Sequence, residues 1–307
     1  MLAFALRRLL AAIPTLFFVI LIAFLMVHAA PGGPFDSERA LPPEVEANVA
    51  AAYRLDEPLP AQFVRYLGGV VTGDFGPSYR YRDYTVAELI ARALPVSVLL
   101  GGLAMILALA FGIAAGSAAA LYRGSWLDRG IMASTMVGIS IPVFVVAPLF
   151  VLLFAVTLRW LPAGWSGADG AARLVLPVVA LALPQVAYIA RLLRASLIDV
   201  LGRDFIRTAR AAGLPMRTVL FTHALKPAML PVLSYLGPAV ASILTGSVVV
   251  EQIFGIPGLG QLFVTGALNR DYTLVLGIVI FYAALIVLMN LLVDLLYGAI
   301  DPRIRYS

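Results

Sequence analysis

The chain has 307 residues, 62% of them hydrophobic and 13% charged, too few polar side chains to clothe a soluble domain of that size, and a mean hydropathy of +0.96 puts most of its surface against lipid. The net charge of +5 does not mark a nucleic-acid binder, because 21 of the 22 basic residues are Arg scattered among apolar runs rather than clustered with stacking aromatics. There is no cysteine, which excludes disulfides, thiol nucleophiles, Fe–S clusters and Cys-ligated zinc, and the two histidines, His28 and His223, lie far apart outside any HExxH pattern, so no metal site is expected.

Six stretches free of charge meet or approach the length needed to cross about 30 Å of hydrocarbon as helices. They are Leu9–Val27, Ala93–Tyr122, Gly130–Leu158, Leu174–Ala190, Pro227–Val250 and Tyr272–Val293, and each can satisfy its backbone internally. The fourth is the shortest; its Pro177 and Pro184 predict a kinked helix that borrows polar flanks at Arg191 and Arg194. Arg7 and Arg8 before the first run give it the start of a signal sequence, but its apolar segment outlasts an h-region and five more spans follow, so it reads as an uncleaved helix. The fold class is therefore an all-α integral membrane protein with six transmembrane helices.

Direction follows from the basic residues. A cytoplasmic N-terminus puts thirteen of them in the inner segments 1–8, 123–129, 191–226 and 294–307, against only Arg159, Arg173 and Arg270 in the short outer loops. The bias predicts cytoplasmic N- and C-termini. The outer segment 31–92 mixes Pro/Gly turns with short amphipathic stretches at Glu44–Arg54 and Gln62–Val71, and Val86–Ala93 leads into the second span, so a small folded cap is expected there. The organisation is thus residues 1–30 as the N-terminal segment and first helix, 31–92 as an extracytoplasmic cap, and 93–307 as the core of helices two to six with a cytoplasmic loop at 195–226.

No catalytic constellation is present: the spans carry no HExxH, no Ser–His pair and no pair of Asp. Only Asp294 comes near a midplane ionisable group, and its neighbours Arg303 and Arg305 favour a helix-end carboxylate at the interface. The sole lysine, Lys226, is followed by Pro227 with no glycine loop before it, so the chain has no P-loop and ATP-driven work would need another polypeptide.

The loop between spans four and five, Arg191–Lys226, is too long for a plain turn. Asp204–Ala212 has helical spacing that sets Phe205, Thr208 and Ala209 on one face with Arg207 and Arg210 beside them; Gly213 stops that helix, and Leu214-Pro215 starts a second over Met216–Ala224. The small residues Ala209, Ala211, Ala212 and Gly213 let a partner surface approach, and the arginines offer forked donors to acidic side chains around a groove. An amphipathic helix on the inner leaflet, with its arginines on lipid phosphates, fits the same residues.

These residues resemble the EAA loop of bacterial importer permeases of the ATP-binding-cassette class. Arg207 stands where the glutamate falls and Pro227 arrives one residue late, but Phe205–Pro215 and His223–Pro227 are similar to the peptide-importer branch, in which the glutamate is absent. Leu6-Arg7-Arg8-Leu9, Ala30-Pro31-Gly32, Gly73-Asp74-Phe75-Gly76, Glu251–Gly260 and Asp301–Arg305 extend the resemblance along nearly the whole chain. Leu41–Val45 and Asn269-Arg270-Asp271-Tyr272 resemble the B subunit of oligopeptide permeases; permeases for dipeptides, murein peptides and nickel share much of the rest.

The resemblance implies a type I ABC importer permease fold in the bacterial inner membrane and a non-catalytic transport subunit. Its implied partners are a second homologous permease subunit, two cytoplasmic ATPase subunits that bind ATP and Mg, an extracytoplasmic peptide-binding protein, the peptide and the lipid; this chain would itself bind no cofactor. It also implies that the 203–217 loop is the coupling helix, with Phe205, Ile206, Thr208, Ala209 and Gly213 in the joint and Arg207 and Arg210 at its rim. Pathway candidates are Gln185, Tyr188, Ser234, Tyr235, Ser242, Thr245 and Asn290, polar or small residues in spans four to six that could partner a peptide backbone, although helix–helix packing uses the same residue types. The tightly turning yet apolar Glu251–Phe263 segment suits an outer gate, with Glu251, Phe254, Pro257 and Gly258 its candidate residues, or a plain interfacial loop. The reading from a different class is an ion-coupled carrier or channel without ATPase partners.

Overall fold

The computed structural model describes residues 2–29, 57–81, 83–165 and 170–300. Described residues are helical apart from turns and one antiparallel bridge between Pro77 and Thr85. The helices are α1 Leu2–Ala29, α2 Leu59–Thr72, α3 Val86–Leu121, α4 Trp126–Ser140, α5 Val143–Phe150, α6 Val175–Leu201, α7 Asp204–Ala211, α8 Leu230–Phe254, α9 Leu259–Leu268 and α10 Tyr272–Ile300, with shorter windings between. Among the described residues five helices are long and apolar enough to cross a membrane, and α4 with α5 and its π-helical continuation Val151–Thr157 makes a sixth if that bent pair is one span.

That break interrupts the single helix expected over Gly130–Leu158: the two halves are bent by 102°. The cause is local. Pro142 disfavours helical backbone at the residue before it, and Ile141 is extended (φ −92°, ψ 118°) while Pro142 itself takes φ −59°, ψ 144°. By contrast the fourth span is longer than expected. Pro177 falls near the start of α6, where a missing N–H costs nothing, Pro184 lies inside it, and the helix continues past Arg191 and Arg194 to Leu201.

At its start α3 carries a reciprocal cap: the Thr85 N–H donates to Glu88 Oε2 at 2.9 Å and the Glu88 N–H to Thr85 Oγ1 at 3.2 Å. This cap starts the helix well before Ala93, and its 36 residues span about 54 Å, more than a bilayer core requires. The Glu44–Arg54, Pro31–Pro34, Pro42-Pro43 and Asp301–Arg305 stretches, and the side chain of Asp294, lie outside the described residues.

Contacts divide the chain into two units. Of the described residues, those within 98–256 and 288–300 make one, and those within 2–97 and 257–287 the other. In the first, α6 is the central helix and packs on α4, α5 and α8. Glycines on α3 bring it close to α6: a Cβ at Gly112 would lie 2.8 Å from Ile189 Cβ, and one at Gly116 2.6 Å from the Ala190 carbonyl oxygen, the small-residue contact by which membrane helices pack without a hydrophobic drive.

In the second unit, Val86, Leu89, Ile90, Ala93, Leu259, Leu274 and Ile278 form the core, flanked by Phe75, Tyr81 and Phe263 among others. The α1–α2 contact is aromatic, with Phe24 and Phe63 rings 5.4 Å apart. Beside it the enclosed Tyr66 hydroxyl has no partner among the described residues, and burial pushes that phenol's pKa up.

Candidate functional site

The segment after α6 folds as the sequence spacing predicts, and its details come from three residues. Gly202 ends α6, Asp204 opens α7, and Gly213 takes a left-handed φ of +81° that only glycine adopts cheaply, turning the chain back. From Pro215 the chain winds through Met216–Thr218, a π-helical Val219–Ala224 and Leu225–Ala228. The second helix is therefore wider than expected; Pro227 lacks the N–H that would close the turn on His223, and the widened winding precedes it.

Along α7 the faces differ sharply. Ile206 is fully buried and faces the chain itself, where α7 packs on the 219–224 winding. Phe205 is 46% exposed, and Arg207, Thr208, Arg210 and Gly213 are exposed, with Ala209 half-buried. Two further apolar side chains, Leu214 and Met216, are exposed beside them. Sequence periodicity missed these because they lie past the glycine, out of the α7 register; the available signal was apolar residues in an otherwise basic loop. Arg207 pairs with Asp204 at 2.7 Å and Arg203 with Asp199 at 2.9 Å, both in solvent, where such pairs contribute little stability.

Four of the pathway candidates meet between α6 and α8. Gln185, 2% exposed, donates from Nε2 to Ser242 Oγ at 3.0 Å and accepts at Oε1 from the Tyr235 hydroxyl at 2.9 Å. The Tyr188 ring lies 5.6 Å from that of Tyr235 and remains 42% exposed. Ser234 and Thr245 bond back to their own helix, at the carbonyls of Leu230 and Ala241. They nevertheless share a face with Ser242: Ser234, Pro238, Ser242, Thr245 and Val249 are all exposed, at the spacing of one stripe along α8. Asn290 comes from α10 and lays its amide oxygen on Gly237, where a Cβ would run into it and the side chain would have to move.

The four gate candidates occupy the turn from α8 to α9. Glu251 and Phe254 end α8 and are buried, at 0% and 2% exposure. The Glu251 carbonyl accepts from the Ile256 N–H at 2.8 Å, and Gly255 closes the helix with φ +64°. Phe254 also accepts, at its carbonyl, from the Trp165 N–H at 2.8 Å. Pro257 is exposed, and buried Gly258 precedes α9, whose Leu259 N–H donates to Ser97 Oγ at 2.8 Å.

One charged contact had no sequence signal. Arg194 on α6 forks onto Asp128 near the start of α4, Nε to Oδ1 at 2.6 Å and Nη2 to Oδ2 at 2.7 Å. Asp128 also accepts from the Gly124 N–H at 2.9 Å. Among the described residues no group of three or more His, Asp or Glu side chains is placed to hold a metal ion.

Comparison with known proteins gives the family. Residues 112–306 match the family model described as binding-protein-dependent transport system inner membrane component, and residues 1–100 match its N-terminal counterpart. The chain is 56% identical over 308 residues to the oligopeptide transport system permease protein OppB of Salmonella typhimurium, with 100% of each chain covered. It is 52% identical over 307 residues to OppB of Haemophilus influenzae, again covering 100% of each, and 42% identical over 303 residues to the dipeptide transport system permease protein DppB of Bacillus subtilis, covering 98% of this chain and 97% of that one. Among solved structures, the MetNI methionine ABC transporter in an inward-facing conformation has the same fold over 69% of this chain and 96% of its own, with a TM-score of 0.58 at 18% identity. A bundle of apolar helices with a basic helical hairpin between two of them, matched by family models along both parts of the chain, makes this protein a member of the inner-membrane components of binding-protein-dependent transport systems.

Proposed function

We propose that this chain is a membrane-spanning permease subunit of an ATP-driven importer for oligopeptides, lying in the bacterial inner membrane with both termini in the cytoplasm. It works with a second permease subunit, two cytoplasmic ATPase subunits that hold ATP and Mg, and an extracytoplasmic binding protein that delivers the peptide. The full-length identity to oligopeptide permeases, higher than that to the dipeptide permease, supports the substrate class. The basic residues at 191–226 support the orientation.

The observation that carries the mechanism is the exposed face of the α7 hairpin. Phe205, Leu214 and Met216 present apolar surface amid Arg207 and Arg210, the composition of a helix that seats in a groove with an acidic rim. Ile206 supports the hairpin from inside, and Gly213 sets its turn. ATP-driven closure of the ATPase pair would move the hairpin, and α6, which runs directly into it, carries the movement to Gln185 and Tyr188. The peptide passes along the exposed Ser234–Val249 stripe of α8 and the Tyr188 ring. Those surfaces offer hydroxyls and an aromatic face but no charge, so they suit a backbone of any sequence and let the binding protein carry the specificity. Glu251, Phe254, Pro257 and Gly258 form the turn at the outer mouth, with buried Glu251 as framework.

The test is uptake of a labelled tripeptide and a labelled pentapeptide by proteoliposomes holding the assembled transporter and its binding protein, with and without ATP on the ATPase side. Uptake is expected to require ATP. Phe205→Asp should abolish uptake and strip the ATPase from the purified membrane part, because losing a central aromatic anchor weakens an interface by ~30-fold or more. ATP-independent uptake that ignores Phe205 would identify a channel or carrier instead.

A further inference from the structure

Two polar joints hold α6 from opposite sides. Toward α8, the Gln185 amide bonds Ser242 and Tyr235. Toward α4, Arg194 forks onto Asp128. Arg194 stands roughly two and a half turns after Gln185, so the two joints leave the helix on opposite faces.

The α4 joint is built around its carboxylate. Asp128 is 3% exposed and takes three N–H donors, two from Arg194 and one from Gly124 at 2.9 Å, while its own N–H donates to Ser125 Oγ at 3.3 Å. The turn from α3 to α4 is therefore tied through Asp128 to α6. An enclosed ion pair is weak ground for stability, because desolvation offsets most of the attraction, and its attested use is to fix register. A forked pair does this well: two parallel bonds fix rotation and axial position together. Beyond Arg194, α6 runs on to Leu201 and passes through Gly202 and Arg203 into α7.

The geometry points to Asp128 and Arg194 as a positioning pair that keeps α6 in register with α4, so that movement of the α7 hairpin reaches the Gln185–Tyr235–Ser242 cluster instead of being lost as slippage between α4 and α6. The inference rests on the coupling and pathway roles proposed above. It predicts that breaking the fork uncouples hydrolysis from transport rather than stopping either.

The experiment measures peptide imported per ATP hydrolysed in proteoliposomes holding the whole transporter, with both rates normalised to assembled complex. Asp128→Asn keeps the shape and removes the charge; Arg194→Lys keeps the charge and removes the fork. For Asp128→Asn, hydrolysis should stay within about twofold of wild type while uptake falls about tenfold, inside the range by which residues between coupled sites shift coupling. Arg194→Lys should fall between that variant and wild type. Equal proportional losses of uptake and hydrolysis, an unchanged ratio in both variants, or failure of both to assemble would overturn the inference, the last by giving the pair a folding role alone. Failure of the underlying reading shows separately, as wild-type uptake without ATP or as Phe205→Asp uptake at the wild-type rate.

Discussion

Asp271 accepts the backbone N–H of Arg80 at 3.1 Å, across 191 residues of chain. The same fully buried carboxylate takes the Ser78 hydroxyl and the N–H groups of Tyr79 and Leu274, each at 3.2 Å for the two amides, and the Thr273 hydroxyl at 3.1 Å. It caps α10 and fixes the 77–81 loop in one stroke. Asp271→Ala leaves the buried Ser78 hydroxyl and Leu274 N–H without this acceptor and should destabilise the protein by about 3 kcal/mol. Asp271→Asn, which turns one acceptor into a donor facing N–H groups, should also lower the thermal midpoint of the purified protein. An unchanged midpoint for both would mean the cage is not formed in solution.

Close approach of α3 to α6 gives a second prediction. A Cβ at Gly116 meets the Ala190 carbonyl oxygen at 2.6 Å, and backbone cannot step aside as a flexible side chain can. Gly116→Val should therefore cost about 3 kcal/mol or prevent assembly. On the same helix Gly102 has nothing within 4 Å, so Gly102→Ala should leave stability unchanged or raise it by up to about 1 kcal/mol. Equal midpoints for Gly116→Val and wild type would show that α3 and α6 are not packed this closely.

How far the sequence reaches depends on the range of the cause. The α7 hairpin is legible because its punctuation is local: Asp204, Gly213 and Pro215 sit at the positions where a helix starts, stops and restarts. The Thr85–Glu88 cap lies equally within one turn, although a composition-based boundary at Ala93 passes over it. The bend at Ile141–Pro142 is harder. The run around it is uncharged, which gives the length of apolar chain but not its path, and proline marks a boundary without giving its angle. Periodicity separates Phe205 from Ile206 but does not say which is covered by the rest of the chain. Asp271 with Ser78–Arg80 and Asp128 with Arg194 are invisible for a different reason, since nothing local in either segment names a partner so far along the chain.

The polar cluster separates bonded from self-satisfied hydroxyls. Tyr235→Phe keeps the ring against Tyr188 and removes only the bond to Gln185 Oε1, leaving a buried acceptor, a loss of about 1 kcal/mol or roughly fivefold. Uptake by the assembled transporter should fall by that factor with hydrolysis retained. Ser234→Ala removes a hydroxyl that bonds its own helix at the Leu230 carbonyl and should leave uptake near wild type. The reverse order of effects would mean that the Ser234 hydroxyl itself, and not the Gln185–Tyr235 bond that braces the Tyr188 ring, governs passage.

Absence of native cysteine makes the proposed topology directly readable, because every introduced thiol reports alone. Exposed positions suited to this are Arg123 and Ala212 on the proposed inner side, and Trp160 and Leu268 on the outer, the last two 70% and 78% exposed. With a membrane-impermeant maleimide on intact cells, Trp160→Cys and Leu268→Cys should label, while Arg123→Cys and Ala212→Cys should label only in inverted vesicles. The pairing of positions 123 and 160 also decides what the 102° bend means. If α4 and α5 together form one broken span, the two thiols react from opposite sides. If the pair enters and leaves the same leaflet, they react from one side, and the number of crossings before α6 changes by one. In that case the α7 hairpin could share the cytoplasm with Arg7 only if another crossing were lost as well, so labelling of Ala212→Cys tests the bend and the coupling role together.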